Sequence, residues 1–305
     1  MYSPTLRATT FLGWPAWTLR QGPLALQVVP AVGGRLMGIQ VAGTELCFIN
    51  PALAGRLPVE DPALWRQLCG EWSFPLWGGG KTWVAPESAW PDGSPHRDLD
   101  SGAYRLVRTW CDGASAGLEL ESPVCRQTGL RIQRRISLAA DAPGWTVRHT
   151  LGNTSAAPVN CGIWDVLMLR RPGRVAAALA DPRAGFDCFR AIAGQGDLAE
   201  LRRQGILDAR AGQLTVQCRQ ARQYKIGVAG ASGALQVRLE LPEGPFRYWR
   251  AGPAPAGAGY AHGHPVEVFN APELPYFEVE SHAPLATLAP GASVSWTVRE
   301  GAEPD

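Results

Sequence analysis

The chain has 305 residues, and its 29 basic side chains nearly balance its 27 acidic ones, which leaves a net charge of +2. This balance argues against a nucleic-acid-binding protein, because such proteins normally carry a strongly basic face. Only 18% of the residues are charged, whereas 35 are Gly, 26 are Pro and 12 are Trp. This composition excludes coiled coils, helical repeats and disordered tails, and it favours an all-β protein with many short strands and tight turns.

Alternation of apolar and polar residues predicts strands from residue 24 to the C-terminus. The clearest case is 130–138, where Leu130, Ile132, Ile136 and Leu138 share one face. The predicted strands are 24–29, 36–41, 104–110, 117–122, 130–138, 145–151, 159–169, 213–219, 235–241, 265–269, 276–282 and 294–298. With further weaker signals the count reaches about fifteen, which suits two large packed sheets.

Helix signals are few. Asp61 is a suitable N-cap, Pro62 fits the first turn and Gly70 ends the pattern, which predicts a short helix over 63–68. A second short helix is predicted over 197–204. The long helices of a parallel α/β sheet are missing from the pattern. We therefore expect an all-β fold of two large antiparallel sheets with one or two short helices, in a single domain spanning residues 1–305.

Three patterns bear on location. The seven Cys are scattered without a Cys-x-x-Cys pair, which fits reduced thiols better than disulfides or a zinc site. The sequence has no run of 18 apolar residues, and residues 1–17 lack a signal-peptide pattern. We expect a cytoplasmic protein that binds neither membranes nor nucleic acid.

The segment 72–91, WSFPLWGGGKTWVAPESAWP, is the most distinctive in the chain. Its GGGKT core lacks the first glycine of a phosphate-binding P-loop, because that position is Pro75. What remains is a glycine turn with Lys81, Glu87 and four Trp, among them Trp83. Aromatic rings beside a few charged groups are typical of sugar sites, although each Trp is also a common core residue.

The segment 275–284 carries two carboxylates on one face of a predicted strand. Glu278, Glu280 and His282 project to the same side, where they would supply a general base or form a solvated sheet face. His149 lies on the apolar side of its own strand, which fits either a core or a cleft-lining histidine. His262 and His264 form a His-x-His pair without a located third ligand, so the sequence predicts no metal and no cofactor.

Together these segments resemble the galactose-mutarotase-like (aldose 1-epimerase-like) superfamily. The resemblance spans about residues 25–300 and rests on six runs: VVPAVGGRL at 28–36, GGGKTWVAPESAWP at 78–91, NTSAAPVN at 153–160, PVEVF at 265–269, YFEVE at 276–280 and the segment 285–291. It is closest to a bacterial family with a Gly-Gly-x-Lys-x-Trp-x-x-Pro motif. That family usually has Gln after the Pro, whereas this chain has Glu87.

The resemblance implies a β-supersandwich with a carbohydrate cleft on its concave sheet face. It also implies that a strand glutamate removes the anomeric proton while a histidine protonates the ring oxygen. The matching glutamate is Glu280, but the position of the histidine is occupied by Trp164, with Asp165 beside it. Lys81, His149 or Asp165 would then have to replace the acid.

The resemblance further implies that Arg35, Lys81, Glu87 and Glu278 bind the sugar and that Trp83 or Trp164 stacks on it. The partner would be a small-molecule or oligomeric carbohydrate. Two functions stay open beside an epimerase: a non-catalytic carbohydrate-binding protein that has lost its acid, and a lyase acting on uronate polysaccharides.

Overall fold

A computed structural model of the chain describes residues 2–192, 196–210 and 212–305. The described strands are β1 (Thr5–Phe11), β2 (Trp14–Gln21), β3 (Leu24–Val29), β4 (Arg35–Val41), β5 (Thr44–Glu45), β6 (Gly80–Ala85), β7 (Arg105–Cys111), β8 (Ser115–Glu121), β9 (Leu130–Ala139), β10 (Trp145–Asn153), β11 (Val159–Arg170), β12 (Gly173–Leu179), β13 (Phe189–Ala191), β14 (Leu207–Arg210), β15 (Gln213–Cys218), β16 (Tyr224–Val228), β17 (Ala231–Leu241), β18 (Gly244–Ala251), β19 (Val266–Asn270), β20 (Tyr276–His282), β21 (Ala286–Leu288) and β22 (Ser293–Pro304). The α-helices are α1 (Pro62–Cys69), α2 (Arg97–Asp100) and α3 (Leu198–Arg203), and single 3₁₀ turns cover Glu87–Ala89, Pro91–Gly93 and Phe186–Cys188. None of these helices is long and apolar enough to cross a membrane.

The strands form two large sheets. The larger sheet has 12 strands, with the central order β4-β6-β11-β20-β19-β16, and the smaller has 10 strands. The pairings along both sheets are antiparallel, for example β11 with β20 and β19 with β20. The prediction of an all-β fold with two large antiparallel sheets and few short helices is therefore confirmed.

The hydrophobic core lies between the two sheets. Strand β9 of the smaller sheet alternates buried and half-buried residues over its whole length, and Leu130, Ile132, Ile136 and Leu138 face the core as the sequence predicts. Val279 and its neighbours on the larger sheet pack into the same cluster. Side chains alternate along a strand, so residues next to a core-facing residue, such as Glu278 and Glu280 on either side of Val279, point to the outer face of the larger sheet.

Helix α1 follows the predicted signals. The Asp61 carboxylate accepts hydrogen bonds from the amides of Ala63 and Leu64, both at 2.9 Å, and Gly70 ends the helix with a φ of 61°. The N-terminal hairpin β1–β2 was not predicted, although it forms the edge of the larger sheet. Six of the seven residues of β1 are exposed or half-buried, so the strand lacks the alternation that marks the others.

The glycine turn before β6 serves packing. A side chain at Gly79 would begin 2.7 Å from the Leu36 carbonyl oxygen, and one at Gly78 would begin 2.3 Å from that of Phe48. Both residues have positive φ, 100° and 66° for Gly78 and Gly79. Glycine is needed here because the chain turns against β4 without room for a Cβ atom.

Candidate functional site

The outer face of the larger sheet carries a cluster of charged and aromatic side chains. Its members come from five neighbouring strands, β6, β11, β20, β19 and β16. We call this cluster the polar face, and its members are Lys81, Trp83, Trp164, Lys225, Glu267, Glu278, Glu280 and His282. Strand β20 shows why they meet: Phe277 and Val279 enter the core, so Glu278, Glu280 and His282 point outward.

Two lysines pair with three carboxylates on the polar face. Lys81 Nζ lies 2.8 Å from Glu278 Oε1. Lys225 Nζ lies 3.0 Å from Glu267 Oε2 and 3.3 Å from Glu280 Oε2. Since these are the chain's only lysines and both are buried, their placement ties two rare charges to this face.

Burial shifts the pKa values of this face. It raises the pKa of Glu280 well above its usual range, and the neighbouring Glu267 and Glu278 add to the rise while Lys225 opposes it. Burial lowers the pKa of Lys81, although Glu278 counteracts this. Ionisable groups perturbed in this way, when they cluster beside a cleft, are typical of functional sites.

Three histidines surround one oxygen of Glu267. The ring nitrogens His262 Nδ1, His264 Nε2 and His282 Nε2 lie 2.6, 2.7 and 3.1 Å from Glu267 Oε1. Burial alone would raise the pKa of Glu267, but these imidazoles outweigh it and hold the pKa well below its usual range. We call these four residues the histidine cluster.

Three tryptophans pack together over the polar face. The Trp164 ring stacks between Trp90, at 5.4 Å between centroids, and His282, at 5.1 Å. Its Nε1 donates a hydrogen bond of 2.8 Å to Glu280 Oε2. Trp83 contacts both indoles edge-on and has Lys81 Nζ 4.0 Å from its ring centroid. The rings expected to stack on a sugar are therefore already covered in this structure.

A cleft of about 730 Å³ opens beside the histidine cluster. Its lining residues are Pro86, Glu87, Ser88, Arg190, Ala191, Ile192, Ala261, His262, Gly263 and His264. Another hollow, of about 590 Å³ and lined by Gln204 and Arg222, lies away from the buried charges. A cleft of this size takes a small molecule.

The structure brings together most of the predicted site residues. Lys81, Trp83, Trp164, Glu278 and Glu280 share the polar face, and Glu87 lies exposed at the rim of the cleft. Arg35 is linked to this face, because it and Trp83 Nε1 both donate to Asp100 Oδ1, at 2.6 and 2.7 Å. Arg35 is buried, and its other guanidinium nitrogen donates to the Gly78 carbonyl at 3.2 Å.

Asp165 and His149 do not reach the polar face. Asp165 follows Trp164 on β11, so its side chain points to the opposite side, between the two sheets. There it pairs with Arg250, and His149 Nε2 lies 3.4 Å from its Oδ2. In this geometry the sheet separates both residues from Glu280, so neither lies where it would replace the missing acid.

Comparison with known proteins bears on the fold. No family model and no curated protein sequence matches the chain. Among solved structures, it is similar to the Slr1438 protein from Synechocystis sp. PCC 6803, with a TM-score of 0.62 and 11% identity over 98% of this chain and 100% of the other. It is also similar to a galactose mutarotase-like protein from Clostridium acetobutylicum, with a TM-score of 0.57 and 11% identity over 99% of both chains. A galactose mutarotase-like protein from Lactobacillus casei ATCC 334 gives 0.59 and 9%, over 94% of this chain and 100% of the other.

The chain has the galactose mutarotase-like fold. Matches over nearly the full length of both proteins, together with the two antiparallel sheets, decide this. At these identities the galactose mutarotase-like neighbours inform about architecture and not about chemistry. The resemblance to the narrower family with the Gly-Gly-x-Lys-x-Trp-x-x-Pro motif stays a prediction.

Within this galactose mutarotase-like fold, sequence reasoning missed Glu267, Lys225 and the assembly of the histidine cluster. Two signals were present: His262 and His264 precede Glu267 by five and three residues, and His282 shares the parity of Glu280. The missing step was the pairing of β19 with β20, which sets Glu267 opposite Glu280 and brings His282 close.

Proposed function

We propose that the protein is a carbohydrate-active enzyme of the aldose 1-epimerase type, with Glu280 as the general base. The observation that carries this proposal is the meeting of Glu280, two buried lysines and the histidine cluster on one sheet face beside an open cleft. The galactose mutarotase-like fold and the resemblance of residues 279–282 to the mutarotase base strand support it.

The proposed reaction interconverts the two anomers of an aldose. Glu280 takes the proton of the anomeric hydroxyl, the oxygen electrons form the carbonyl, and the bond from the anomeric carbon to the ring oxygen breaks. The ring oxygen must then gain a proton, which the indole of Trp164 cannot supply. We assign this role to the histidine cluster, because His262 and His264 both line the cleft and His262 is partly exposed. Rotation of the aldehyde and reversal of these steps yield the other anomer.

Access to Glu280 sets a condition on this proposal. Its side chain is 0% exposed, and the Trp164 indole covers it. A sugar that enters the cleft meets Glu87, Arg190 and His262 first. The proposed reaction therefore includes a movement of Trp164, after which Lys81 and Glu278 lie within the exposed pocket and bind hydroxyl groups.

The test is anomer interconversion followed by NMR over a panel of aldoses. Glu280→Gln removes the base while keeping the size of the side chain, so we expect kcat/KM to fall by about 100-fold or more. Glu119→Gln is the matched control, since Glu119 lies on the smaller sheet and pairs with Arg108 near the surface. An unchanged rate in Glu280→Gln would refute Glu280 as the base.

One observation favours a second candidate function, a non-catalytic carbohydrate-binding protein. Trp164 stands at the position expected for the acid, and its indole covers Glu280. A protein that only binds a sugar needs neither the acid nor an accessible base. This candidate predicts saccharide binding by calorimetry or glycan array with no acceleration of anomer exchange. Glu87→Gln, at the rim of the cleft, should weaken that binding, whereas absence of any saccharide binding by the wild-type protein would contradict both functions.

A further inference from the structure

The histidine cluster has the donor set of a metal site. It presents imidazole nitrogens from His262 and His282 and a carboxylate oxygen from Glu267, and all three donor atoms lie within 4.8 Å of one another. We infer that these three residues bind one divalent transition-metal ion at the inner end of the cleft, with His264 orienting Glu267. This inference does not rest on the proposed sugar chemistry, and an ion bound here would compete with the proton that the proposed reaction assigns to the cluster.

The distances suit an ion after a small adjustment. Bonds from zinc to imidazole nitrogen and carboxylate oxygen are about 2.0–2.2 Å, so tetrahedral neighbours lie about 3.3 Å apart. His262 Nδ1 and His282 Nε2 now lie 2.6 and 3.1 Å from Glu267 Oε1. An outward shift of these groups by less than about 1 Å makes room for the ion, because its bonds replace the direct contacts.

His282 provides a second, independent observation. Its side chain is 1% exposed, and neither of its ring nitrogens has a hydrogen-bond partner among the described residues. A buried polar atom without a partner is costly, and structures keep one only for a reason. Since Nε2 faces Glu267 Oε1 at 3.1 Å without suitable hydrogen-bond geometry, coordination to an ion would satisfy it.

Strand pairing and packing contacts support the cluster. Glu267 and His282 lie on the paired strands β19 and β20. The His262 ring packs edge-on against Trp164 at 4.9 Å and against His282 at 4.8 Å. His264 fits beside β16 only because residue 227 is glycine, since a Cβ there would lie 2.3 Å from His264 Nε2. These contacts hold the donor atoms in place before an ion binds.

The nearby positive charge of Lys225 does not occupy the site. Its Nζ lies 3.0 Å from Glu267 Oε2, whereas the three imidazoles gather at Oε1. Glu267 Oε2 thus pairs with Lys225, and Glu267 Oε1 is left for the inferred ion. The carboxylate keeps a lone pair on Oε1 for coordination.

The donor set selects the class of metal. Two imidazoles and one carboxylate suit Zn²⁺, Co²⁺, Ni²⁺, Mn²⁺ or Fe²⁺, whereas Ca²⁺ and Mg²⁺ prefer oxygen ligands alone. His262 lies at the cleft wall and is partly exposed. A fourth ligand position on that side is open to a small molecule, as in catalytic rather than structural sites.

The experiment uses the full-length protein after dialysis against a chelator. Zn²⁺ is titrated by calorimetry, metal content is measured by elemental analysis, and Co²⁺ is added to read the visible absorption of a four-coordinate ion. We expect one ion per chain. His262→Gln and Glu267→Gln should each weaken binding by about 100-fold or more, since even loss of an outer partner costs about 10- to 100-fold.

His96→Asn is the matched control, because this histidine is buried beside Gln127 and has no contact with the cluster. It should bind zinc as the wild type does. Circular dichroism checks the fold of each variant, and His262→Gln decides the matter if Glu267→Gln fails to fold, because His262 lies in a loop. Absence of stoichiometric binding, or equal binding by wild type and His262→Gln, would overturn the inference.

Discussion

At the scale of single residues, the structure separates side chains that the sequence leaves equivalent. Trp164 and Asp165 are neighbours, yet alternation along β11 sends the first to the polar face and the second between the sheets. Glu280 is paired and covered, whereas Glu87 is exposed at the cleft. Function at this site therefore depends on which face each residue occupies.

Glu45 illustrates how one buried carboxyl makes stability depend on pH. Its Oε1 accepts hydrogen bonds from the amides of Ile39 and Cys47, at 2.8 and 2.9 Å, whereas its buried Oε2 has no hydrogen-bond partner among the described residues. Burial raises the pKa of Glu45 to about 7 from 4.5, although the two amides counteract the rise. The folded protein thus holds this proton more tightly than the unfolded chain does.

Between pH 4.5 and about 7, we predict that the unfolding free energy of the wild type falls as the pH rises and that Glu45→Gln abolishes the part of this fall due to Glu45. In that window the wild type loses unfolding free energy as the pH rises, because ionisation of the buried carboxyl is resisted in the folded state only. Above pH 7 the variant should be more stable by an amount of the order of 2 kcal/mol. Urea unfolding across this range measures it, and parallel profiles for the two proteins would contradict the prediction.

At the scale of elements, the glycine turn before β6 positions Lys81 and Trp83. Gly78 and Gly79 let the chain approach β4 closely enough for Leu36 to pair with Gly80. Lys81 and Trp83 then face outward on the strand that follows. The sequence motif that resembles a phosphate loop is thus explained by backbone packing.

We predict that Gly79→Ala destabilises the protein by about 1–3 kcal/mol more than Gly43→Ala does. Both residues have positive φ, 66° and 89°, so both variants carry the cost of that backbone conformation. Only at residue 79 would the new Cβ meet backbone atoms, at 2.7 Å, whereas residue 43 has open space. Thermal unfolding of the two variants gives the difference, and equal melting temperatures would show that the close approach is not needed.

At the scale of the whole molecule, a buried charge network joins the two sheets. Arg250 of the smaller sheet pairs with Asp165 of the larger one and lies 3.0 Å from Glu300 Oε1. His149 Nδ1 lies 2.9 Å from the Thr82 hydroxyl of β6. These contacts join the two sheets within a core whose other members are mostly apolar.

We predict that Arg250→Met costs about 3–5 kcal/mol, because it leaves two carboxylates buried without their partner. Arg247→Met is the control on the same strand. Its pair with Glu303, at 3.0 Å, is more than half exposed and should contribute about 1 kcal/mol or less. Denaturant unfolding measures both, and adding Asp165→Asn to Arg250→Met should restore part of the loss. Equal costs for the two arginines would contradict this role of the network.

Much of the architecture could be predicted from the sequence, because alternation and turn residues are local signals. The strand 130–138, the cap at Asp61 and the outward parity of Glu278 and Glu280 are examples. Strand β1 was not predicted, because nearly all of its residues are exposed or half-buried and it therefore lacks an apolar face.

The site was harder to predict, because it depends on pairing between distant segments. Glu267 and His282 meet only when β19 lies beside β20, and Lys225 joins them from β16. The parity of His149 was read correctly, but only the packing of the two sheets shows that this parity places it in a charged core.

The most direct test of the central claim compares the two outward carboxylates of β20. We predict that Glu280→Gln lowers kcat for anomer exchange by about 100-fold or more, because it removes the base. Glu278→Gln should mainly raise KM, since its pair with Lys81 at 2.8 Å is proposed to bind hydroxyl groups. Kinetics by NMR on both variants separates the roles, and a Glu280→Gln enzyme with wild-type kcat would contradict the account.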